Sequence, residues 1–283
     1  MLRQYVPDRL KQLYLNRKRD TFFRERPSAV RIVQFREGRF FASMTNKIEA
    51  ALLSVGNKYD WANHQMLASF VGPDTICFDI GANIGIYSVV MGHHATASGA
   101  VHAFEPVSHI RKKLEANVRL NGLTWVTVNS HALGAEDAVM DMYQVKEDQF
   151  RGGTSTFYPN ENVASMGADK FNVTPVQVKT LDGYARDKLL NRIDFMKIDV
   201  EGFEWPVIEG GQTAIERFRP TILMEYDPVR HAEYADRFRD FFDRINYVAY
   251  EFVPFGQEMV FVPFSFDRRP LGRNIVCVNQ GPK

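Results

Sequence analysis

The chain has 283 residues, of which 45% are hydrophobic and 24% charged. That is ordinary globular usage, enough for one large α/β domain or two small ones, and it excludes disordered, collagen-like and coiled-coil chains. The net charge of +1 hides an asymmetry, because residues 1–40 hold 11 Lys+Arg against 4 Asp+Glu while the remainder is acidic.

No apolar stretch approaches the roughly 18 residues of a membrane span, and the opening Met-Leu-Arg-Gln-Tyr-Val-Pro-Asp lacks the apolar centre of a secretory signal. Cys77 and Cys277 lie in apolar, strand-like runs. Two cysteines are too few for a disulfide framework, so each reads as a small buried hydrophobe. The expected location is the cytoplasm.

In the basic arm, Leu10, Leu13 and Tyr14 follow Pro7-Asp8 at the spacing of a short amphipathic helix, and Arg17-Lys18-Arg19 come next. Residues 1–57 therefore read as a basic, helical N-terminal extension. Such a helix either rests on an anionic membrane surface or packs across the main domain.

From about residue 65, strands alternate with helices. Thr75–Ile80 is a compact apolar run, and the glycine-containing turn after it opens a helix over about 85–95. Val101–Glu105 is a second strand. Ser108 is placed to cap a helix that Asn121-Gly122 ends near Leu120. Trp125–Asn129 is a third strand and Ile193–Asp199 a fourth. A helix over about 204–217 has Pro206 in its first turn, where proline is tolerated. Thr221–Glu225 is a fifth strand, followed by a helix over about 230–244. Val248–Phe252 and Asn274–Val278 close the chain as strands, with a loop carrying Pro254, Gly256, Pro263 and Pro270 between them. Residues 136–180 form an insertion, with alternating pieces around Gly152-Gly153-Thr-Ser-Thr, as expected of a lid or substrate-contacting flap.

Strands separated by helix-length segments imply right-handed parallel crossovers, and so a doubly wound α/β sheet, mostly parallel with an antiparallel C-terminal strand. Ligands bind beyond the carboxyl ends of such strands. The first ends Phe78-Asp79-Ile80-Gly81-Ala82-Asn83-Ile84-Gly85, where the glycines permit a tight turn and close approach to a ligand. Glu105 ends the second strand, 24 residues after Gly81. A carboxylate there clamps ribose hydroxyls. Acids at both places suit S-adenosylmethionine, a nucleoside with a cationic tail and no phosphate.

The fourth strand is unusual for a buried one. Lys197, Asp199 and Glu201 share its parity, and such charges are costly to bury unless paired. Glu225, at the end of the fifth strand, adds another acid. This is the pattern of an active site. The structural alternative is an ion-pair network around Lys197.

The blocks Phe78–Gly85, Phe104-Glu-Pro106, Asn117 with Asn121-Gly122, Ala132-Leu-Gly134, Thr180-Leu-Asp182 and Ile193–Gly202 resemble FkbM-type S-adenosylmethionine-dependent methyltransferases. The resemblance covers about 58–228. It implies a class I, Rossmann-like methyltransferase domain over 58–283 and transfer to a hydroxyl, often on a sugar or polyketide. It also implies that Asp79, Gly81, Asn83 and Gly85 hold the methionine portion, that Glu105 with Pro106 meets the ribose, and that His131 and Ala132 flank the adenine. Asp199 lies near the methyl group in this reading. Asp60, in Tyr59-Asp60, stands where the family often carries Tyr-Glu. Arg151 and Thr154, within 149–156, are expected to close over the acceptor.

A hydroxyl acceptor must shed its proton near the transition state. Asp199 and Glu201 are the candidate bases, with Glu225 next and Lys197 their electrostatic partner. Asp199 and Glu225 together are also candidates for one divalent ion, although a metal is not favoured. The expected acceptor is a small molecule or glycan, with no nucleic acid, because the Asn/Asp-Pro-Pro-aromatic motif for base methylation is absent. The rival readings are a Rossmann-type NAD-dependent oxidoreductase and a non-catalytic S-adenosylmethionine-binding scaffold. Oligomeric state is not legible.

Overall fold

The computed structural model describes residues 29–44, 47–145, 155–157, 171–255 and 258–281. In chain order the elements are β1 (Arg31–Phe35), β2 (Gly38–Ala42), α1 (Lys47–Val55), α2 (Trp61–Phe70), β3 (Ile76–Ile80), α3 (Ile86–Ala95), β4 (Ala100–Phe104), α4 (Ser108–Leu120) and β5 (Val126–Asn129). The inserted part holds β6 (Ala132–Leu133), β7 (Ala138–Val145), β8 (Ser155–Thr156) and β9 (Phe171–Lys179). Then come α5 (Leu181–Asp187), β10 (Phe195–Ile198), α6 (Glu204–Glu209), α7 (Gln212–Phe218), β11 (Thr221–Glu225), α8 (Ala235–Arg244), β12 (Tyr247–Phe255), β13 (Glu258–Pro263) and β14 (Asn274–Asn279).

The main sheet has eight strands in the order β13-β12-β14-β11-β10-β3-β4-β5. Strands β5, β4, β3, β10 and β11 run parallel. The expected antiparallel C-terminal strand is β14, which pairs with β11. The chain builds outward from β3 to β5 and then returns to β10 on the other side of β3. That reversal opens a crevice at the carboxyl ends of β3 and β10, where ligands bind in such sheets. Buried Phe78, Phe195, Ile198, Ile222 and Val276 give the sheet its core, and both cysteines are buried thiols within it.

Residues 31–42 correct the expectation of a helical extension over 1–57. They form the β1/β2 hairpin, whose Phe35 and Phe40 join the main core. Inward and outward positions alternate along it with the period of a strand, a signal outweighed by the basic charge of the segment. The arm residues 1–28 lie outside the described residues, as do Arg151 and Thr154. Asn117 and Asn121 hold the hairpin in place. Asn117 Oδ1 accepts from the Phe41 N–H at 2.9 Å and Asn121 Oδ1 from the Arg39 N–H at 2.8 Å, while Asn117 Nδ2 donates to the Ile84 carbonyl.

Three further differences have local causes. The helix expected over 204–217 breaks at Gly210-Gly211, a pair of poor helix formers that cap α6 and open α7; Gly210 also packs where a Cβ would stand 1.9 Å from the Gly134 carbonyl oxygen. Ser108 does not cap α4; the cap position is Val107, whose N–H is taken by Glu105. The proline-bearing loop after β12 contains β13, an edge strand, where a ladder tolerates proline. The insertion forms its own four-stranded sheet, ordered β6-β9-β7-β8. Among the described residues no helix is long and apolar enough to cross a membrane.

Candidate active site

The turn after β3 needs three residues in the left-handed region: Gly81 at φ 79°, Asn83 at 51° and Gly85 at 87°. Glycine adopts this conformation freely and asparagine tolerates it. At Gly81 the space is also required, since a Cβ would lie 2.0 Å from the Asp199 carbonyl oxygen. The turn and the end of β10 therefore touch backbone to backbone.

Glu105 follows β4 and is buried. Its Oε2 accepts from the Asn83 N–H at 3.0 Å and its Oε1 from the Val107 N–H at 2.9 Å. Burial pushes its carboxyl up to about 7, against the pull of those two amides. The second strand's acid is thereby locked against the first strand's turn.

Lys197 is the centre of charge. Its Nζ lies 3.3 Å from Asp199 Oδ2 and 3.6 Å from Asp79 Oδ1. It also sits over the Tyr87 ring, 4.8 Å from the centroid. Burial opposes the ammonium charge, but Asp199 and Asp79 outweigh it and hold the Lys197 pKa above its ordinary value. Tyr87 donates its hydroxyl to Asp60, which also accepts from Asn63 Nδ2, and the Tyr87 ring stacks on His64 at 4.8 Å. Burial, reinforced by the Asp60 carboxylate, pushes the neighbouring Tyr59 hydroxyl up to about 12.

The acids of the fourth and fifth strands meet at Arg230. Its Nη1 is 3.0 Å from Glu225 Oε2 and 3.1 Å from Glu201 Oε2. Burial, then the charges of Asp199 and Glu201, raise the Glu225 carboxyl to about 8, with Arg230 opposing. Lys197 and Asp199 share one side of the chain, as their parity predicts. Glu201 departs from that alternation because β10 ends at Ile198 and Glu201 itself is left-handed, at φ 55°. Glu225, considered for a divalent ion with Asp199, is held by Arg230. Among the described residues no group of three or more His, Cys, Asp or Glu could hold a metal.

Most of these groups line one cavity of about 530 Å³, a size typical of small-molecule sites. Gly81, Asn83, Glu105, Pro106 and Ala132 form one end of the expected set on its wall. Asp60, Lys197, Asp199, Glu201 and Glu225 form the rest. Met142, Ser155 and Phe157 bring the inserted sheet to the same wall.

Three expected cofactor residues do not line the cavity, and their placement corrects the expectation. Asp79 is wholly buried; its Oδ2 accepts from Ser88 Oγ at 2.5 Å and its other oxygen faces Lys197, so it acts on the site through that lysine. Gly85 caps α3, where its missing Cβ leaves room for Leu114. His131 packs edge-on against Phe104 and beside Tyr184. Sequence reasoning missed Tyr87, Arg230, Glu204 and His231. Only Glu204 had a sequence signal, as a carboxylate three residues past Glu201 at the start of a helix.

A doubly wound α/β sheet whose reversal point carries a glycine turn, a buried acid after the second strand and an acid cluster has the architecture of a Rossmann-like, class I methyltransferase fold. The methyltransferase FkbM domain model matches residues 79–251, more than half of the chain, and the chain belongs to that family. It is 26% identical over 149 residues to Methyltransferase 1 of Beauveria bassiana, a match covering 48% of this chain and 58% of that protein. It is 25% identical over 183 residues to the AMB antimetabolite synthetase AmbE of Pseudomonas aeruginosa, covering 55% of this chain and 8% of that much longer protein. Among solved structures it is similar to the methyltransferase FkbM of Methylobacillus flagellatus KT, with a TM-score of 0.44 and 15% identity over 82% of this chain and 54% of that one. It is also similar to a SAM-dependent O-methyltransferase of Thermotoga maritima, with a TM-score of 0.43 and 14% identity over 89% of this chain and 78% of that one.

Proposed function

We propose that this chain is an S-adenosylmethionine-dependent methyltransferase that methylates a hydroxyl oxygen on a sugar, glycan or polyketide-type small molecule. The observation that carries the reading is that Glu105 and the acids Asp199, Glu201 and Glu225 line one continuous cavity. A ribose clamp and a proton-accepting pole therefore share one space.

The residues present fit the donor. Glu105 presents a buried carboxylate beside the Gly81–Asn83 turn, and each oxygen, holding one backbone amide, keeps acceptor capacity for a ribose hydroxyl. Asp60 and Asp199 supply negative charge along the path of an ammonium and a sulfonium. A dinucleotide pyrophosphate would meet those carboxylates instead of a phosphate cradle, which counts against NAD. When bound, S-adenosylmethionine supplies an activated methyl group on a good leaving group.

The chain's own residues then align the acceptor and take its proton. Alignment of two reactants in one enclosed site can supply about 7–11 kcal/mol of the barrier reduction. Asp199 is the first candidate for the proton acceptor, since it stands at the end of β10 next to the Gly81 turn, and Lys197 stabilises its charge. Tyr59, Phe157 and Phe252 give the remaining wall an apolar character suited to the faces of a sugar or polyketide ring. The similarity to an antimetabolite synthetase fits a small-molecule acceptor.

Calorimetric titration with S-adenosylmethionine and, separately, with NAD tests the donor. Binding of NAD alone would overturn the assignment. A screen of sugars, glycans and polyketides with isotopically labelled donor, read by mass spectrometry, tests the acceptor. The reading also keeps a cytoplasmic location and peripheral membrane contact through the basic arm. Its vesicle-binding test is deletion of residues 1–20, which should abolish lipid binding and leave donor affinity intact.

A further inference from the structure

A buried pair behind the cavity has no place in the proposed chemistry, yet it ties together both loops that carry the acids. Glu204 and His231 are each wholly buried. Glu204 Oε1 accepts from the Val200 N–H at 3.0 Å, and its Oε2 accepts from the Gly202 N–H at 3.0 Å and from His231 Nε2 at 2.6 Å. His231 Nδ1 in turn accepts from the Asp227 N–H at 3.0 Å. A ring nitrogen that accepts an N–H carries no proton, so His231 is the Nε2–H tautomer and donates to Glu204. Its ring stacks on Tyr226 at 5.3 Å.

The two amides that Glu204 takes flank Glu201, whose left-handed backbone is unfavourable for a residue with a side chain. A buried carboxylate with three donors is a strong enough anchor to sustain that geometry. On the other side His231 follows directly after Arg230, the residue that bridges Glu201 and Glu225. The hydrogen bond between Glu204 and His231 thus joins the loop after β10 to the loop after β11.

We propose that Glu204 and His231 are positioning residues: their hydrogen bond fixes Arg230 between Glu201 and Glu225 and so sets the spacing and charge state of the acids facing the acceptor. This rests on the reading of those acids as the proton-accepting pole, but the coupling itself can be measured without any acceptor.

The groups facing Glu225 are Asp199 and Glu201 from the loop after β10, Glu204 from α6, Arg230 from the loop after β11, and Arg273 just before β14. Among them Arg230 is the close counter-charge. When it drifts, Glu225 keeps only the exposed Arg273, 3.9 Å away, against three acids, and holds its proton to higher pH.

The test compares two substitutions by carbon-detected NMR titration of the Glu225 side-chain carboxyl in the full chain. His231→Asn keeps an acceptor for the Asp227 N–H but falls short of Glu204. His231→Gln keeps a donor that reaches Glu204. The titration midpoint should rise by about one pH unit in His231→Asn, a tenfold change in proton affinity, and stay at the wild-type value in His231→Gln. Equal midpoints in the two variants, whatever their melting temperatures, would overturn the proposal. If either variant fails to fold, Glu204→Gln is compared with wild type: loss of the Glu204 charge alone lowers the Glu225 midpoint, so a rise reports the drift of Arg230, and an unchanged or lower midpoint would overturn the proposal. S-adenosylmethionine titration of the same samples reports separately on the methyltransferase reading, so failure of one is not failure of the other.

Discussion

Lys197 and Asp79 stand in direct register across β10 and β3, with ammonium and carboxylate 3.6 Å apart and almost no access to solvent. Each charge is tolerated in the middle of the sheet because of the other. Asp79 also has Ser88, and Lys197 also has Asp199 and the face of Tyr87. The pair transmits the core's geometry to the cavity, because Lys197 reaches its wall beside Asp199 and Tyr87, whereas Asp79 stands behind it.

Removing one member should cost far more than removing both. Lys197→Met leaves Asp79 enclosed without its counter-charge, and unfolding in urea should show a loss of about 3–5 kcal/mol. Adding Asp79→Leu should recover most of that loss. Equal stabilities for the single and double variants would show that the pair is not coupled.

Glu105→Ala should weaken S-adenosylmethionine binding by about 1–3 kcal/mol, the range for a lost charge-assisted hydrogen bond. Isothermal titration calorimetry measures this directly. Unchanged affinity would remove Glu105 from the ribose site.

The raised carboxyls make a signed prediction for pH. Glu105 titrates near 7 and Glu225 near 8 in the folded chain, both above the ordinary value of 4.5. The folded state therefore binds these protons more tightly than the unfolded state. Their contribution to stability is full below about pH 4.5 and is lost as pH rises through 7 and 8. Ligand-free protein should melt at a lower temperature at pH 8.5 than at pH 6, and Glu225→Gln should flatten the slope between pH 6 and pH 8.5. Donor affinity runs the other way if ionised Glu105 receives the ribose, and should rise from pH 6 to pH 8.

Asp199→Asn keeps the shape and removes the charge. With an acceptor from the screen, turnover should fall by about 10²–10⁴-fold, the usual contribution of a positioned proton acceptor. Donor affinity should change much less, and Asp79 should keep Lys197 from destabilising the fold. A chelator should leave the wild-type rate unchanged. A fully active Asp199→Asn enzyme would remove Asp199 from the chemistry and point to Glu225.

Gly81→Ala combines a left-handed backbone with a Cβ 2.0 Å from the Asp199 carbonyl. Melting temperature and S-adenosylmethionine affinity should both fall, because relief of the clash must push β10 away from the turn. Gly122→Ala, at φ 67° with open space around it, should lower stability alone.

The sequence by itself determined the doubly wound sheet, its antiparallel end, the carboxyl-edge location of the cavity and most of the charged residues on its wall. Those follow from local regularities: apolar runs of strand length, glycines where the backbone turns left-handed, and acids where a buried strand ends. Tertiary structure alone decided which acids face the cavity and which stand behind it. Asp79 and Asp199 look equivalent in sequence, but Asp79 lies one pleat deeper, within β3 before its last residue, whereas Asp199 follows the last residue of β10. Only tertiary structure brought Tyr87 under Lys197, Arg230 between Glu201 and Glu225, and His231 onto Glu204. Those partners are separated by up to 110 residues of chain, and no short-range period marks them. Pairing a buried charge depends on which strands become neighbours, and that is settled by packing of the whole sheet.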